Sequence, residues 1–200
     1  PRALHELGHD ARVIIPKFAS IQADKYKFKS HIDGITVAKG NTSEGAERPI
    51  ICNIKVLEET PEGCVPCYFI ENQEYFEQRG SVYGYDDDAA RWAVMCRGAL
   101  EFIKSNKDDW VPDVIVASDW QGGLIPNLAK TEYINDPIIS KIAVVFSIHN
   151  LHYQGMFDHH HINELDFDDG QSTIPALGDP RLLKTNFMRR GIRYADVVNT

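Results

Sequence analysis

The chain of 200 residues carries 29 acidic and 21 basic side chains, which gives it a formal net charge of −8. Hydrophobic residues make up 43% and charged residues 25%, as in ordinary globular domains, so collagen, coiled coil and whole-chain disorder are excluded. The acidic balance argues against non-specific binding to nucleic acid or to an anionic membrane, because both depend on clustered Lys and Arg. No apolar run in the sequence approaches the roughly 20 residues that span a bilayer.

The hydrophobic pattern predicts alternating strands and helices, which is typical of an α/β domain. Short apolar runs predict buried parallel strands, and a 3.6-residue period predicts the helices. Charged and aromatic side chains alternate within about 20–60, which predicts a small β-rich insertion. In chain order we expect a helix at 2–7, a strand at 11–18, an exposed edge or hairpin at 25–29, a loop at 40–49, strands at 50–57 and 65–70, a helix at 86–104, a buried strand at 114–117, a helix at 123–133, a strand at 142–148, mostly loop at 150–180, a helix at 184–194 and a strand from 195. This order predicts one Rossmann-like, doubly wound domain over 1–200 with a mostly parallel sheet.

Two groups of metal-binding residue types stand out, and neither has the spacing of a metal site. Cys64 and Cys67 form a C-x-x-C, but a strand is predicted after them instead of the helix of a thioredoxin-type pair, and no second C-x-x-C completes a zinc site. We expect ordinary reduced cysteines, with redox or metal chemistry as the alternative. The three histidines at 159–161 are adjacent and point in different directions, so we expect no bound metal there. The three aspartates at 86–88 predict the start of a helix.

Polar and aromatic residues cluster at the predicted carboxyl ends of two strands, where ligands bind in such folds. Asp119 and Trp120 follow the strand at 114–117, and His149 and Asn150 follow the strand at 142–148, with Gln154 shortly after. Hydrogen-bonding side chains beside flat aromatic faces suit a sugar. The glycine pair at 122–123 begins a helix, and either anion binding or close strand–helix packing explains it. No phosphate-binding glycine loop and no G-x-S-x-G nucleophile motif occurs in the sequence.

Several of these stretches together resemble a known family. They are residues 1–10, 75–76, 83–84, 86–92, 118–124, 149–155 and 186–196. In their order and spacing they resemble the N-terminal domain of bacterial glycogen synthases and plant starch synthases, which are members of glycosyltransferase family 5. The resemblance covers nearly the whole chain, and H-N-x-x-Y-Q-G together with D-W-Q-x-G-L is its most specific part. Within these stretches the sequence departs from many relatives at Ser118, where they have His.

The resemblance implies the N-terminal, acceptor-side half of a GT-B glycosyltransferase. Such enzymes transfer glucose from ADP-glucose to the non-reducing 4-OH of an α-1,4-glucan with retention, and the resemblance implies no metal and no cofactor. It places His149 beside the transferred glucose as the catalytic residue. It places Asp119, Trp120 and Tyr83 in contact with the acceptor glucan, and gives Asn150 and Gln154 a shaping role in that site. Core packing is the alternative for Trp120.

The family's K-x-G-G-L loop and its second, donor-binding domain have no counterpart in these 200 residues. We therefore expect a domain truncated at both ends that does not transfer glucose alone, whereas its parent does. We also expect an exposed sheet edge that favours oligomers. A non-catalytic glucan-binding module of the same fold is the alternative, and a sucrose synthase-like transferase is a third candidate that the 149–155 motif disfavours. ADP-glucose or UDP-glucose as the donor, and the bacterial cytoplasm or the plastid stroma as the location, both stay open.

Overall fold

The computed structural model describes residues 1–21, 25–41, 47–156 and 185–200, which form helices and strands in two sheets. The predicted histidine tract at 159–161 and most of the predicted loop at 150–180 lie outside these ranges. The helices are α1 (Arg2–Glu6), α2 (Asp88–Ser105), α3 (Asp119–Gly122), α4 (Leu124–Lys130) and α5 (Phe187–Tyr194). The strands are β1 (Val13–Pro16), β2 (Phe28–Asn41), β3 (Glu47–Leu57), β4 (Cys67–Glu71), β5 (Val114–Ser118), β6 (Ala143–Ser147) and β7 (Val197–Asn199). A π-helical turn covers Gln73–Glu77, and a 3-10 turn covers Ile139–Lys141.

The strands confirm an α/β fold, and three of the five described strand pairs are parallel. In the first sheet, of order β1-β4-β3-β2, β1 and β4 are parallel, whereas β3 pairs antiparallel with both β4 and β2. The second sheet, of order β5-β6-β7, is parallel throughout. The described strands thus form two sheets where the sequence predicted one. The antiparallel pairings all involve the β2–β3 hairpin, which lies in the stretch predicted to be rich in β structure.

The loop predicted at 40–49 is wrong at both of its ends. The backbone of β2 continues to Asn41, and β3 begins at Glu47, which is its cross-strand partner. Pro49 lies within β3, although proline cannot donate a ladder hydrogen bond. The structure tolerates it because β4 pairs with β3 only from Asn53 to Val56, so at Pro49 the strand β3 has β2 as its one described neighbour. The pairing of β2 with β3 is interrupted by three shifts of register, which lie within 30–38.

Helix α2 joins the two halves of the core. It packs against β2 and β4 on one side and against α3 and α4 on the other, and most of its side chains are buried. Gly98 allows a close approach to the first sheet, since a Cβ there would lie 3.1 Å from Ile70 Cδ1. Gly191 does the same for α5 and β6, because a Cβ would lie 2.5 Å from the Phe146 ring. The buried side chains of both sheets therefore form one hydrophobic core, and the carboxyl ends of β5 and β6 are fixed against it.

Strand β5 is less buried than its apolar sequence predicted. Ala117 is buried, but Val114 and Val116 are 49% and 57% exposed. The two exposed valines share the opposite face of the strand, and β5 ends its sheet. A strand is buried on both faces only where elements cover both of them, and the described residues cover the face of Ala117. Among those residues, no helix is both long and apolar enough to cross a membrane.

Candidate functional site

Asp119 organises the junction between the two strand ends. It follows β5 directly and has a φ of +51°, a left-handed conformation that is uncommon for a residue with a side chain. Its Oδ1 atom accepts hydrogen bonds from the backbone N–H of His149 at 2.7 Å and of Asn150 at 3.1 Å. The carboxylate thus ties the turn after β6 to the end of β5. Strained residues of this kind are concentrated at functional sites, where the surrounding contacts hold them.

His149 is placed at the surface by this turn. The residue is exposed, and its Nε2 atom lies 3.3 Å from the hydroxyl oxygen of Ser147, the last residue of β6. The hydroxyl therefore orients one edge of the ring, and no described residue bonds to Nδ1. Because the backbone is held by Asp119 and the ring by Ser147, the imidazole is a fixed, accessible hydrogen-bonding group at the strand end.

Asn150 and Gln154 hold the following loop in shape. The Asn150 Oδ1 atom accepts from the backbone N–H of His152 at 2.9 Å, which closes a tight turn. Gln154 donates to the Leu151 carbonyl at 3.3 Å and accepts from the Asn186 amide at 3.0 Å. Both predicted residues therefore use side-chain groups for contacts within the protein, and these contacts fix the loop against the start of α5.

Trp120 lies in the core. It is 8% exposed, and its ring lies 5.6 Å from that of Trp92 and 6.4 Å from that of Phe187, measured between centroids. Gly155 covers it, since a Cβ on Gly155 would lie 2.8 Å from the ring atom Cε3. These contacts fit core packing, the alternative that the sequence left open, and the glucan contact of Trp120 stays a prediction.

The glycine pair at 122–123 is explained by packing. A Cβ on Gly122 would lie 3.2 Å from the Ala117 side chain, and one on Gly123 would lie 2.1 Å from the Phe187 carbonyl oxygen. Both glycines are needed for the helices α3 and α4 to lie close to β5 and α5. These close approaches favour packing over anion binding for this pair.

Tyr83 lies on a separate loop, between the π-helical turn and α2. Its side chain is 59% exposed. No contact described by the structure joins it to the Asp119–His149 junction. The two are connected through α2, because Asp88 at the start of that helix holds the Tyr83 loop, and Trp92 one turn later packs on Trp120.

The remaining candidates for redox or metal chemistry do not form a site in the described residues. Cys67 begins β4, and a strand rather than a helix was predicted at this point. Burial raises the pKa of the Cys67 thiol to about 11. A thiol with so high a pKa is a poor nucleophile and a poor metal ligand. No cluster of three or more His, Cys, Asp or Glu residues suitable for a metal occurs in the described ranges.

Comparison with known proteins gives one consistent result. A family model described as the starch synthase catalytic domain matches residues 1–200. The chain belongs to this family. It is 37% identical over 205 residues to a glycogen synthase of Geotalea uraniireducens, of which it covers 40%, and 37% identical over 202 residues to one of Clostridium acetobutylicum, of which it covers 39%. Both alignments include all of this chain, which therefore spans about two fifths of the length of these relatives.

The fold has a counterpart among solved structures. The catalytic domain of starch synthase IV from Arabidopsis thaliana, bound to ADP and acarbose, superimposes with a TM-score of 0.73 and 25% sequence identity. The match covers 98% of this chain and 38% of that one. The starch synthase catalytic fold, of the GT-B class, is thereby confirmed for this domain.

Sequence reasoning missed several residues that build the site of this starch synthase-family domain. Ser147 gave no signal, because a serine at a strand end is common. Asn186 caps α5 by accepting from the Arg189 N–H at 2.9 Å and also binds Gln154, and only its place in a matching stretch hinted at a role. Asp88 was interpreted as the start of a helix. It is the first residue of α2, but its carboxylate points back to the preceding loop.

Proposed function

We propose that this chain is the acceptor-side half of a retaining glucosyltransferase that transfers glucose from ADP-glucose to the 4-OH end of an α-1,4-glucan. The family match supports the reaction class. The donor is proposed from the resemblance and from the ADP bound to the Arabidopsis relative. The observation that carries the proposal is the Asp119 carboxylate, which fixes the His149 turn at two adjacent strand ends.

The geometry suggests what His149 contributes. A retaining transfer passes through an oxocarbenium-like state, and hydrogen bonds to the sugar that strengthen in that state accelerate it. An exposed imidazole whose backbone and Nε2 edge are both held can donate or accept such a bond with little loss of freedom. Asp119 acts through His149 and is a positioning residue. The proposal gives neither residue the part of a nucleophile.

The same proposal expects glucan binding without transfer by these 200 residues. The K-x-G-G-L loop and the second domain, which the resemblance assigns to the donor, are not among them, and His149 is the described residue that we propose to face the transferred glucose. A non-catalytic glucan-binding module would also bind without transfer. The two functions are distinguished in a longer protein that contains this chain. Only the glucosyltransferase predicts that such a protein releases ADP from ADP-glucose when glucan is present.

The test is a calorimetric titration of the chain with maltoheptaose, alongside His149→Ala. His5→Ala is the matched control, since His5 is an exposed histidine in α1. We expect saturable binding that weakens about tenfold in the His149 variant and is unchanged in the control. Absence of binding by a chain that melts cooperatively, or equal loss in both variants, would overturn the placement of the glucan at the strand ends.

A further inference from the structure

The loop that carries Tyr83 is held by its neighbours on both sides. We call residues 79–85 the Tyr83 loop. The backbone N–H groups of Gly84 and Tyr85 donate to Asp88 Oδ2 at 2.5 and 3.2 Å, and the Ser81 N–H donates to the Tyr85 hydroxyl at 2.8 Å. Three backbone groups around Tyr83 thus have fixed partners, two of them on one carboxylate oxygen.

The Asp88 carboxylate is itself fixed by a buried charge. Its other oxygen accepts from Arg91 Nη1 at 2.5 Å, and the two side chains are 5% and 0% exposed. Arg91 also donates from Nε to the Tyr75 carbonyl at 2.6 Å, which joins the pair to the π-helical turn. A charge-assisted hydrogen bond is stronger than a neutral one, and the burial of both side chains restricts how they can move. One oxygen of Asp88 therefore anchors it, and the other holds the loop.

Tyr85 fills the inside of the loop. Its ring centroid lies 4.8 Å from the Arg91 guanidinium carbon and 5.1 Å from that of Arg79. Arg79 is held in turn by Asp87 at 2.5 Å and by the Glu74 carbonyl at 2.8 Å. The loop therefore has a packed interior with two cations against one ring, although it lies at the surface.

Tyr83 is the part of this loop that is left to the solvent. Its side chain is 59% exposed, while the backbone around it is bound on both sides. The next residue, Gly84, has a φ of +101°, which side-chain-bearing residues rarely adopt, and no atom would lie within 4 Å of a Cβ there. The glycine is therefore required by the backbone turn and not by crowding.

We infer that Asp88 and Arg91 are positioning residues that hold Tyr83 ready to pack on a glucan chain. A rigid aromatic side chain costs little conformational entropy when it binds, because its loop is ordered beforehand. The carboxylate of Asp88 does not cap its own helix, and the Asp87 side chain makes no capping bond either. These acidic residues serve the loop that precedes the helix. The inference rests on the proposed function, since the ligand of Tyr83 is the glucan acceptor.

The first part of the test measures the loop without a ligand. Asp88→Asn weakens the acceptor of two N–H groups and removes the charge that faces Arg91. Hydrogen exchange should show the Gly84 and Tyr85 amides exchanging about tenfold faster, while amides in the core of α2 keep their protection. Unchanged exchange at both amides would overturn the positioning role.

The second part measures affinity for maltoheptaose. Gly84→Ala disturbs the turn without disturbing the buried charges, and we expect it to weaken binding about tenfold, as Tyr83→Ala does. Gly34→Ala is the matched control, because Gly34 also has a positive φ, of +79°, with no atom within 4 Å of a Cβ, but lies in β2. The control should bind as the unmodified chain does.

The outcomes separate the two proposals. If the unmodified chain does not bind maltoheptaose, the proposed function fails, and with it the ligand of Tyr83, whatever the exchange data show. If it binds and Tyr83→Ala weakens binding but Gly84→Ala does not, the positioning inference fails and the proposed function stands. If Gly34→Ala weakens binding as much as Gly84→Ala, the effect is general destabilisation and the inference also fails.

Discussion

The Asp119 carboxylate provides the sharpest test of how the strand ends are built. It accepts two backbone N–H groups at 2.7 and 3.1 Å, and Asp119 is half-buried. A hydrogen bond to a charged group contributes about 1.5–3 kcal/mol, and partial exposure reduces that, so we assign about 2 kcal/mol to the two bonds together. The left-handed backbone adds a second effect, since a residue with a Cβ pays roughly 1 kcal/mol there relative to glycine.

Three substitutions at this position separate the two effects. Asp119→Ala loses the hydrogen bonds and keeps the strain, Asp119→Gly loses the bonds and relieves the strain, and Asp119→Asn keeps an acceptor oxygen. The first two should increase hydrogen exchange at the His149 and Asn150 amides by about 30-fold, because about 1.4 kcal/mol corresponds to tenfold, and the third by less than about tenfold. Urea unfolding should show Asp119→Gly to be about 1 kcal/mol more stable than Asp119→Ala.

An internal reference completes the experiment. Val144 lies in β6, the strand that precedes the His149 turn, and its amide donates to the Asp196 carboxylate at 2.8 Å. Hydrogen exchange at the Val144 amide should therefore not respond to any of the three variants. Full protection of the His149 and Asn150 amides in both Asp119→Gly and Asp119→Ala would refute the reasoning. Equal acceleration at Val144 would also refute it, because the whole sheet and not the turn would have opened.

Three further predictions concern the surroundings of the site. Gly155→Ala should lower the free energy of unfolding, measured in urea, by about 3 kcal/mol, because the new Cβ adds a clash to the strain of a positive φ. Gly8 also has a positive φ but has open space around it, so Gly8→Ala should lower the free energy of unfolding by only about 1 kcal/mol. Equal losses in the two variants would contradict the packing around Gly155. A lysine hydrogen bond and a backbone N–H lower the pKa of Asp196 below 3.8, so the stability that it contributes is present above about pH 4 and is lost as the pH falls through the folded pKa. The free energy of unfolding should therefore fall less between about pH 6 and pH 3 in Asp196→Asn than in the unmodified chain. An identical fall in both proteins would exclude this contribution. Iodoacetamide at about pH 8 should label exposed Cys64 well before Cys67, whose pKa of about 11 keeps it a thiol, as peptide mass spectrometry would show; equal rates would contradict the burial of Cys67.

Much of the fold follows from sequence pattern alone, and the errors have local causes. The helix predicted at 86–104 and the strand at 142–148 agree with α2 and β6 because their hydrophobic periods are unambiguous. The helix predicted at 123–133 corresponds to the shorter α4, which ends at Lys130, and the structure adds the short helix α3 before it, which was not predicted. Strand burial was less predictable, since an apolar run such as that of β5 does not show which of its faces another element covers.

The site was predictable by position more than by role. Strand ends and the order of motifs indicated Asp119 and His149, and the structure brings these two together. Composition could not show that the Asp119 carboxylate faces backbone N–H groups, because that depends on the turn after β6. Nor could it show that Trp120 is buried, because that depends on the loop that returns at Gly155. The role of Asp88 was hidden for a similar reason, since an aspartate at the start of a helix has an ordinary explanation. The oligomer expected from an exposed sheet edge stays a prediction.

The interrupted pairing of β2 with β3 has a consequence for the behaviour of the protein at high concentration. A long edge strand with regular backbone groups is a template on which other chains can add, which leads to aggregation. In β2 the register shifts three times within 30–38, so its outward N–H and C=O groups cannot present one continuous ladder. The longest of the described strands is therefore also poorly suited to recruit another strand. A redesign that removed these bulges to regularise the hairpin should make the protein less soluble.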